Sequence, residues 1–151
     1  MSGNEQRLAG ACGNYCGSCP IFRAFHDRDG QRQFEVSFHT RCTLDKIRCE
    51  GCGSDDRFIL SNRCNFRECA RSRGLGSCAL CGEYPCEMLS AFYGSGSQYH
   101  RDASGNCQRI RETGLDRWLG EMAEKYRCRE CGAPLTVGDS SCRACGHQRS
   151  A

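Results

Sequence analysis

Apolar residues are spread thinly along this chain, and the clearest helical run lies late in it. In CQRIRETGLDRWLGEMAEKYR (107–127), Leu115, Trp118, Leu119, Met122 and Tyr126 recur at intervals of one, three and four. That spacing gathers them on one helical face, a pattern that ordinarily marks core packing. Gly114 interrupts the run, so it predicts two short helices with a break there. Trp118 is expected to dock this segment on the rest of the chain. Upstream, Pro20 suits the first turn of a helix carrying IFRAF. CNFRECARSRG (64–74) predicts two helical turns stopped by Gly74. Pro85 opens CEMLSAFYG, with Met88, Leu89 and Phe92 on one face and Gly94 as the stop. FEVSFHT fits a helix or a strand. YGSGSQYHRDASGN (93–106) is rich in Gly, Ser and polar residues and predicts a loop.

These elements carry little apolar surface. Hydrophobic residues are 38% of the 151, but that figure includes 16 cysteines. A chain with so thin a core needs disulfides or metal to fold. Which of the two depends on compartment. The N-terminal MSGNEQRLAGACG lacks the apolar stretch of a secretory signal, and nothing approaches the ~18 apolar residues of a membrane span. A cytoplasmic location without a membrane partner is therefore expected. Thiols stay reduced there, and dense cysteine points to metal. The formal charge of +3 then misleads. Ionising all 16 thiols around four divalent ions would turn it into about −5. A nucleic-acid reading based on net charge is weakened accordingly.

The cysteines fall in two blocks. The C-terminal block, CRECGAPLTVGDSSCRACGH, holds two C-x2-C pairs, each followed by glycine: Cys128 with Cys131, and Cys142 with Cys145. This is the spacing of a short zinc ribbon, with Pro134 and Gly138-Asp139 turning the intervening β-hairpin. The first block holds Cys12, Cys16 and Cys19, then Cys49 and Cys52, then Cys64 and Cys69, then Cys78, Cys81 and Cys86. All are candidate ligands. Cys42 and Cys107 lie outside any short pair and suit either a ligand or a small buried apolar side chain. Three thiols in CGNYCGSCP need a distant fourth partner, expected from CEGC (49–52) or CALCGEYPC (78–86).

The segments CGNYCGSCP, RCEGCGS, CNFRECARSRGLGSC and CALCGEYPCEML, in that order, resemble the cysteine-rich prokaryotic family known as domain of unknown function 3795. Its members read CG-x-x-C-x-x-CP, C-x-GC, C-x-IR-x-CA-x-x-(K/R)G and C-x-x-C-x-x-YPC-x-x-L. The likeness covers roughly residues 11–92, and the tail NCQRIRETGLDRWL with a terminal ribbon also resembles some relatives. The resemblance implies metal binding by the first-block cysteines and supplies no reaction. One position departs from it. Members often carry another cysteine three residues before the one matching Cys64, and here Ser61 stands there. That ligand set would be completed by Cys42 or Cys107.

Zinc is the expected metal, as several ions with one in the ribbon. An iron–sulfur cluster within residues 12–86 is the alternative, since Cys19-Pro20 and Pro85-Cys86 are similar to the cysteine–proline neighbourhoods of ferredoxins. Cys12-x3-Cys16-x2-Cys19 also matches the triad of radical S-adenosylmethionine enzymes. Ser18 stands where those place an aromatic, however, and the chain is short for their barrel. Asp55, Asp56, Glu83 and Glu87 flank ligand pairs as solvated charges, and no catalytic residue is assigned. The expected architecture is a small, irregular, metal-stabilised, mostly α domain with short helices, plus the C-terminal β-hairpin ribbon. It divides into a metal-binding unit at 1–92, a loop and amphipathic helices at 93–127, and the ribbon at 128–147. The expected role is a binding or adaptor module, with an iron–sulfur redox or electron-transfer protein as the alternative and a metal-dependent enzyme as the less favoured reading. A protein or nucleic-acid partner would meet the ribbon, where Arg127, Arg129, Arg143 and Arg149 also offset thiolate charge.

Overall fold

The computed structural model describes residues 3–150. Seven α-helices account for its regular structure: α1 (Gly3–Gln6), α2 (Pro20–His26), α3 (Gly30–Thr40), α4 (Asn65–Ser72), α5 (Glu87–Tyr93), α6 (Gln98–Thr113) and α7 (Leu115–Lys125). Short 3-10 turns at Cys16–Ser18, Leu44–Lys46, Ile59–Ser61 and Cys78–Leu80 fill the gaps. Among the described residues there are no β-strands, only isolated bridges.

The apolar face of α7 meets that of α6. Trp118, Leu119 and Met122 pack with Cys107 and Ile110, and the cluster reaches Ala9 and Tyr15 of the N-terminal segment. Trp118 is 1% exposed and stands edge-on to Tyr15, with ring centroids 6.1 Å apart. The helical run therefore breaks at Gly114, and Trp118 docks it on the N-terminal segment.

The expected loop at 93–106 is largely helix, because α6 begins at Gln98. Its inward face is Ala103, Cys107 and Ile110, all fully buried. This is helical spacing written in small residues, which periodicity in large apolar side chains overlooks. Their smallness has a use. Gly13 approaches so closely that a Cβ there would lie 2.4 Å from the Ala103 carbonyl oxygen and 2.7 Å from the Cys107 sulfur. FEVSFHT is helical, as the end of α3. Asp29 caps that helix by accepting from the Arg32 N–H at 3.0 Å.

The C-terminal β-hairpin is the main correction. Each C-x2-C pair closes on itself through one bridge, Arg127 with Pro134 and Ser141 with Gln148. The backbone between them is directed elsewhere. The bonds from the Leu135 N–H to Tyr126 and from the Arg149 N–H to Ser140, both 2.8 Å, belong to those bridges, whereas the Thr136 N–H donates to the Asp139 carboxylate at 2.7 Å and the Val137 N–H to Ser18 at 3.0 Å. Donors that would extend the bridges into a ladder thus turn to the Asp139 side chain and to the cysteine-rich body.

Arg32 of α3 makes the strongest of these attachments. It donates to the Thr136 hydroxyl at 3.0 Å and to both Asp139 carboxylate oxygens, at 3.3 and 3.1 Å. The Arg32 and Asp139 side chains are only 7% and 8% exposed. Burial would raise the Asp139 carboxyl, but the Thr136 N–H and the Arg32 guanidinium outweigh it and hold it below the usual carboxylate range. Removing one member of a buried pair leaves the other charge stranded. Asp139→Asn should therefore destabilise the docked tail by roughly 3 kcal/mol and speed proteolysis within 126–141. A denaturation midpoint and cleavage rate equal to wild type would show that the pair does not hold the tail.

Candidate metal centre

The tail brings its four cysteines together. One sulfur each from Cys128, Cys131, Cys142 and Cys145 lies within 4.8 Å of all the others. Cys128 and Cys145 are 3.7 Å apart, and Cys131 and Cys142 3.6 Å. A tetrahedron with metal–sulfur bonds of ~2.3 Å has sulfur–sulfur edges of about 3.8 Å, so this group fits one ion. Among the described residues it is the only group of three or more ligating atoms that converges in this way.

The local sequence builds that geometry twice. Within each pair the chain turns so that the glycine after the second cysteine returns its N–H to the first: Gly132 to Cys128 at 2.9 Å, and Gly146 to Cys142 at 2.8 Å. Both glycines have positive φ, +75° and +77°, which side chains disfavour. The Cys131 N–H, helped by that of Glu130, pulls the Cys128 thiol down to about 6. The His147 N–H favours a thiolate at Cys145. Lost solvation and hydrogen bonds to the neighbouring sulfurs outweigh it there and push that thiol up to about 12. Cys128 and Cys142 are buried and Cys131 and Cys145 exposed, so the group sits at the surface with one side closed.

The first-block cysteines are arranged differently. The Cys52 N–H donates to the Cys16 sulfur at 3.2 Å, so CEGC meets CGNYCGSCP. The Cys16 thiol, followed by Arg57 and Arg67, pulls Cys52 down to about 7. Cys19 lies beside Cys49 and Cys52. Burial raises it to about 11, although the Phe22 and Ile21 N–H groups point at its sulfur. Cys49 likewise receives the Gly51 and Phe58 N–H groups. Cys12 and Cys64 share with Cys52 the wall of a cavity of about 580 Å³ that also takes in Ser61 and Arg57. There the Arg57 Nε and Nη1 are buried without a hydrogen-bond partner. Cys69, Cys78, Cys81 and Cys86 line a second cavity, of about 90 Å³.

The two outlying cysteines point their thiols at backbone carbonyls: Cys42 at Thr40, 3.7 Å away, and Cys107 at Cys12, 3.4 Å away. Of the histidines, His26 contacts Glu50 at 3.1 Å and His100 contacts Ser95 at 2.5 Å.

Reasoning from cysteine spacing missed the arginines. The Arg67 Nε donates to the Cys52 carbonyl at 2.9 Å, and the Arg73 Nη1 to the Cys81 sulfur at 3.5 Å. Their signal lay in the C-x-IR-x-CA-x-x-(K/R)G pattern, whose two basic positions Arg67 and Arg73 occupy. A basic residue kept in step with ligand cysteines is a charge partner for sulfur.

No curated protein and no solved structure matches the chain. A family model does match, over residues 8–91, which is more than half of the sequence and contains every first-block candidate from Cys12 to Cys86. The chain belongs to the family described as Protein of unknown function (DUF3795).

Proposed function

We propose that this is a zinc protein in which Cys128, Cys131, Cys142 and Cys145 hold one structural ion, and that it serves as a binding or adaptor module rather than an enzyme. The observation that carries this reading is the convergence of four sulfurs within 4.8 Å, two pairs of them 3.6 and 3.7 Å apart. Four thiolates close a tetrahedral shell and leave no position for substrate, which is the mark of a structural site. Zinc suits the all-sulfur tetrahedron. The first-block cysteines from Cys12 to Cys86 belong to the same reading as further metal ligands, with residues 1–92 as the metal-binding unit, 93–127 packed against it and 128–147 as the appended zinc unit. No described helix is long and apolar enough to cross a membrane.

The partner surface in this reading is the groove of about 620 Å³ beside the tail. Lys125, Arg127, Arg129 and Arg149 line it together with Glu121 and Glu124. Nucleic acid selects a uniformly basic surface, because each phosphate carries the same charge. Mixed charge suits a protein partner with a matching pattern of both signs.

Two measurements test the zinc centre. Cys131→Ser should lose one zinc equivalent by native mass spectrometry while the helices keep their circular dichroism. Unchanged metal content would remove the assignment. The second reads protons. Zinc binds thiolate, so its affinity should rise with pH as the thiols lose protons. Above about pH 6 Cys128 has already ionised, whereas Cys145, raised to about 12, keeps its proton until metal displaces it. At pH 7.5 zinc binding should release protons, but fewer than one per sulfur. Calorimetry in buffers of different ionisation enthalpy measures that number, and zero release would contradict thiolate ligation.

A further inference from the structure

The second thiol-lined cavity differs from the tail centre in a way that changes what it can hold. Cys69 stands on α4, Cys78 and Cys81 bracket the 3-10 turn before α5, and Cys86 caps α5. The four surround about 90 Å³, walled otherwise by Ala70, Leu75, Tyr84, Met88 and Leu89, with the ion pair of Arg73 and Glu83, 2.9 Å apart, at one side. No three ligating atoms here lie within 4.8 Å of one another, in contrast to the tail. A single tetrahedral ion needs the close spacing. The cavity is also several times the ~10–15 Å³ that one water-sized sphere requires. Four sulfurs held apart around a space of that size match a core of several atoms.

We propose that Cys69, Cys78, Cys81 and Cys86 bind an iron–sulfur cluster of the cubane 4Fe–4S type. This rests on the reading of the first-block cysteines as metal ligands and goes beyond zinc for this one set. Four cysteine thiolates are the usual ligand complement of such a cluster. Leu75 and Leu89 supply an apolar inner wall, and the side with Arg73 and Glu83 opens to solvent. Four thiolates on a core of charge +2 leave a net −2, and one-electron reduction makes it −3. Arg73 shares its charge with Glu83 through Nη2, and its Nη1 donates to the Cys81 sulfur at 3.5 Å. Hydrogen bonds to ligand sulfurs favour the more negative, reduced state and so raise the potential. The C-x2-C pair is also built differently from the tail's. Cys78–Leu80 is a 3-10 turn closed by the Cys81 N–H on the Cys78 carbonyl at 3.1 Å.

The test uses the full chain, purified anaerobically and reconstituted with iron and sulfide. About four iron and four acid-labile sulfide ions per chain are expected beside zinc, with brown colour and an electron paramagnetic resonance signal after dithionite supplies one electron. Cys81→Ser should lose iron and colour but keep the tail zinc, and Cys131→Ser should do the reverse. Should Cys81→Ser fail to fold, Arg73→Gln decides. That side chain is largely exposed, so the variant folds, and its cluster should have a lower reduction potential than wild type. A colourless chain that takes up only zinc overturns the cluster and leaves the tail centre standing. Iron that survives Cys81→Ser, or a potential unmoved in Arg73→Gln, overturns this site.

Discussion

Holding four sulfurs within 4.8 Å is unfavourable for a polypeptide on its own. Ionised, they repel; protonated, they crowd weak hydrogen-bonding groups together away from water. A divalent cation reverses the sign of that interaction. Since no unfolded chain presents the four at once, the binding free energy of the ion becomes folding free energy, on the order of 10 kcal/mol. The rest of the architecture is consistent with relying on such a term. Its buried apolar residues form separate small clusters instead of one continuous core. Cysteines sit inside each cluster.

The tail belongs to this scheme because it is anchored rather than tethered. Arg32 reaches from α3 to Thr136 and Asp139, and Val137 donates to Ser18, one residue before Cys19. Arg149 lies over the Tyr126 ring at 4.8 Å, and Tyr126 stacks on Tyr15 in the main cluster. The path from the tail centre to the N-terminal cysteines therefore runs through a buried ion pair and two aromatic contacts.

Much of this was legible in the sequence, and the failures have physical causes. The α7 stripe was readable because Leu115, Trp118, Leu119 and Met122 are large and regularly spaced. The α6 face was not, since Ala103 and Cys107 carry little hydrophobic signal and Gly105 lies among them. The tail sulfurs were readable because C-x2-C-G fixes its own geometry over five residues. The hairpin was not present, because ribbon spacing is silent about where the intervening N–H groups point, and here the Asp139 carboxylate and Ser18 take those of Thr136 and Val137. How the first block divides into sites depends on helix packing. Cys69 and Cys86 line one cavity because α4 and α5 come together beside the same 3-10 turn, and spacing along the chain does not encode that.

The charge balance follows from the same sulfur chemistry. Of the 21 basic side chains, only Lys46 and Lys125 are lysine. Arginine carries several N–H donors on a planar, weakly hydrated cation, which suits it to buried sulfur and carbonyl acceptors where an ammonium is poorly matched. Arg67 holds the Cys52 carbonyl, Arg73 the Cys81 sulfur, and Arg57 lies beside Cys52 with two buried nitrogens still unpartnered. A cation buried in that way is stabilised by negative charge beside it, and the Cys52 thiol, pulled down to about 7, offers such a charge. Other arginines pair with carboxylates, as Arg7 with Glu50, Arg32 with Asp139 and Arg109 with Glu121. A surface left with both signs, like the groove beside the tail, is what remains for a partner to read.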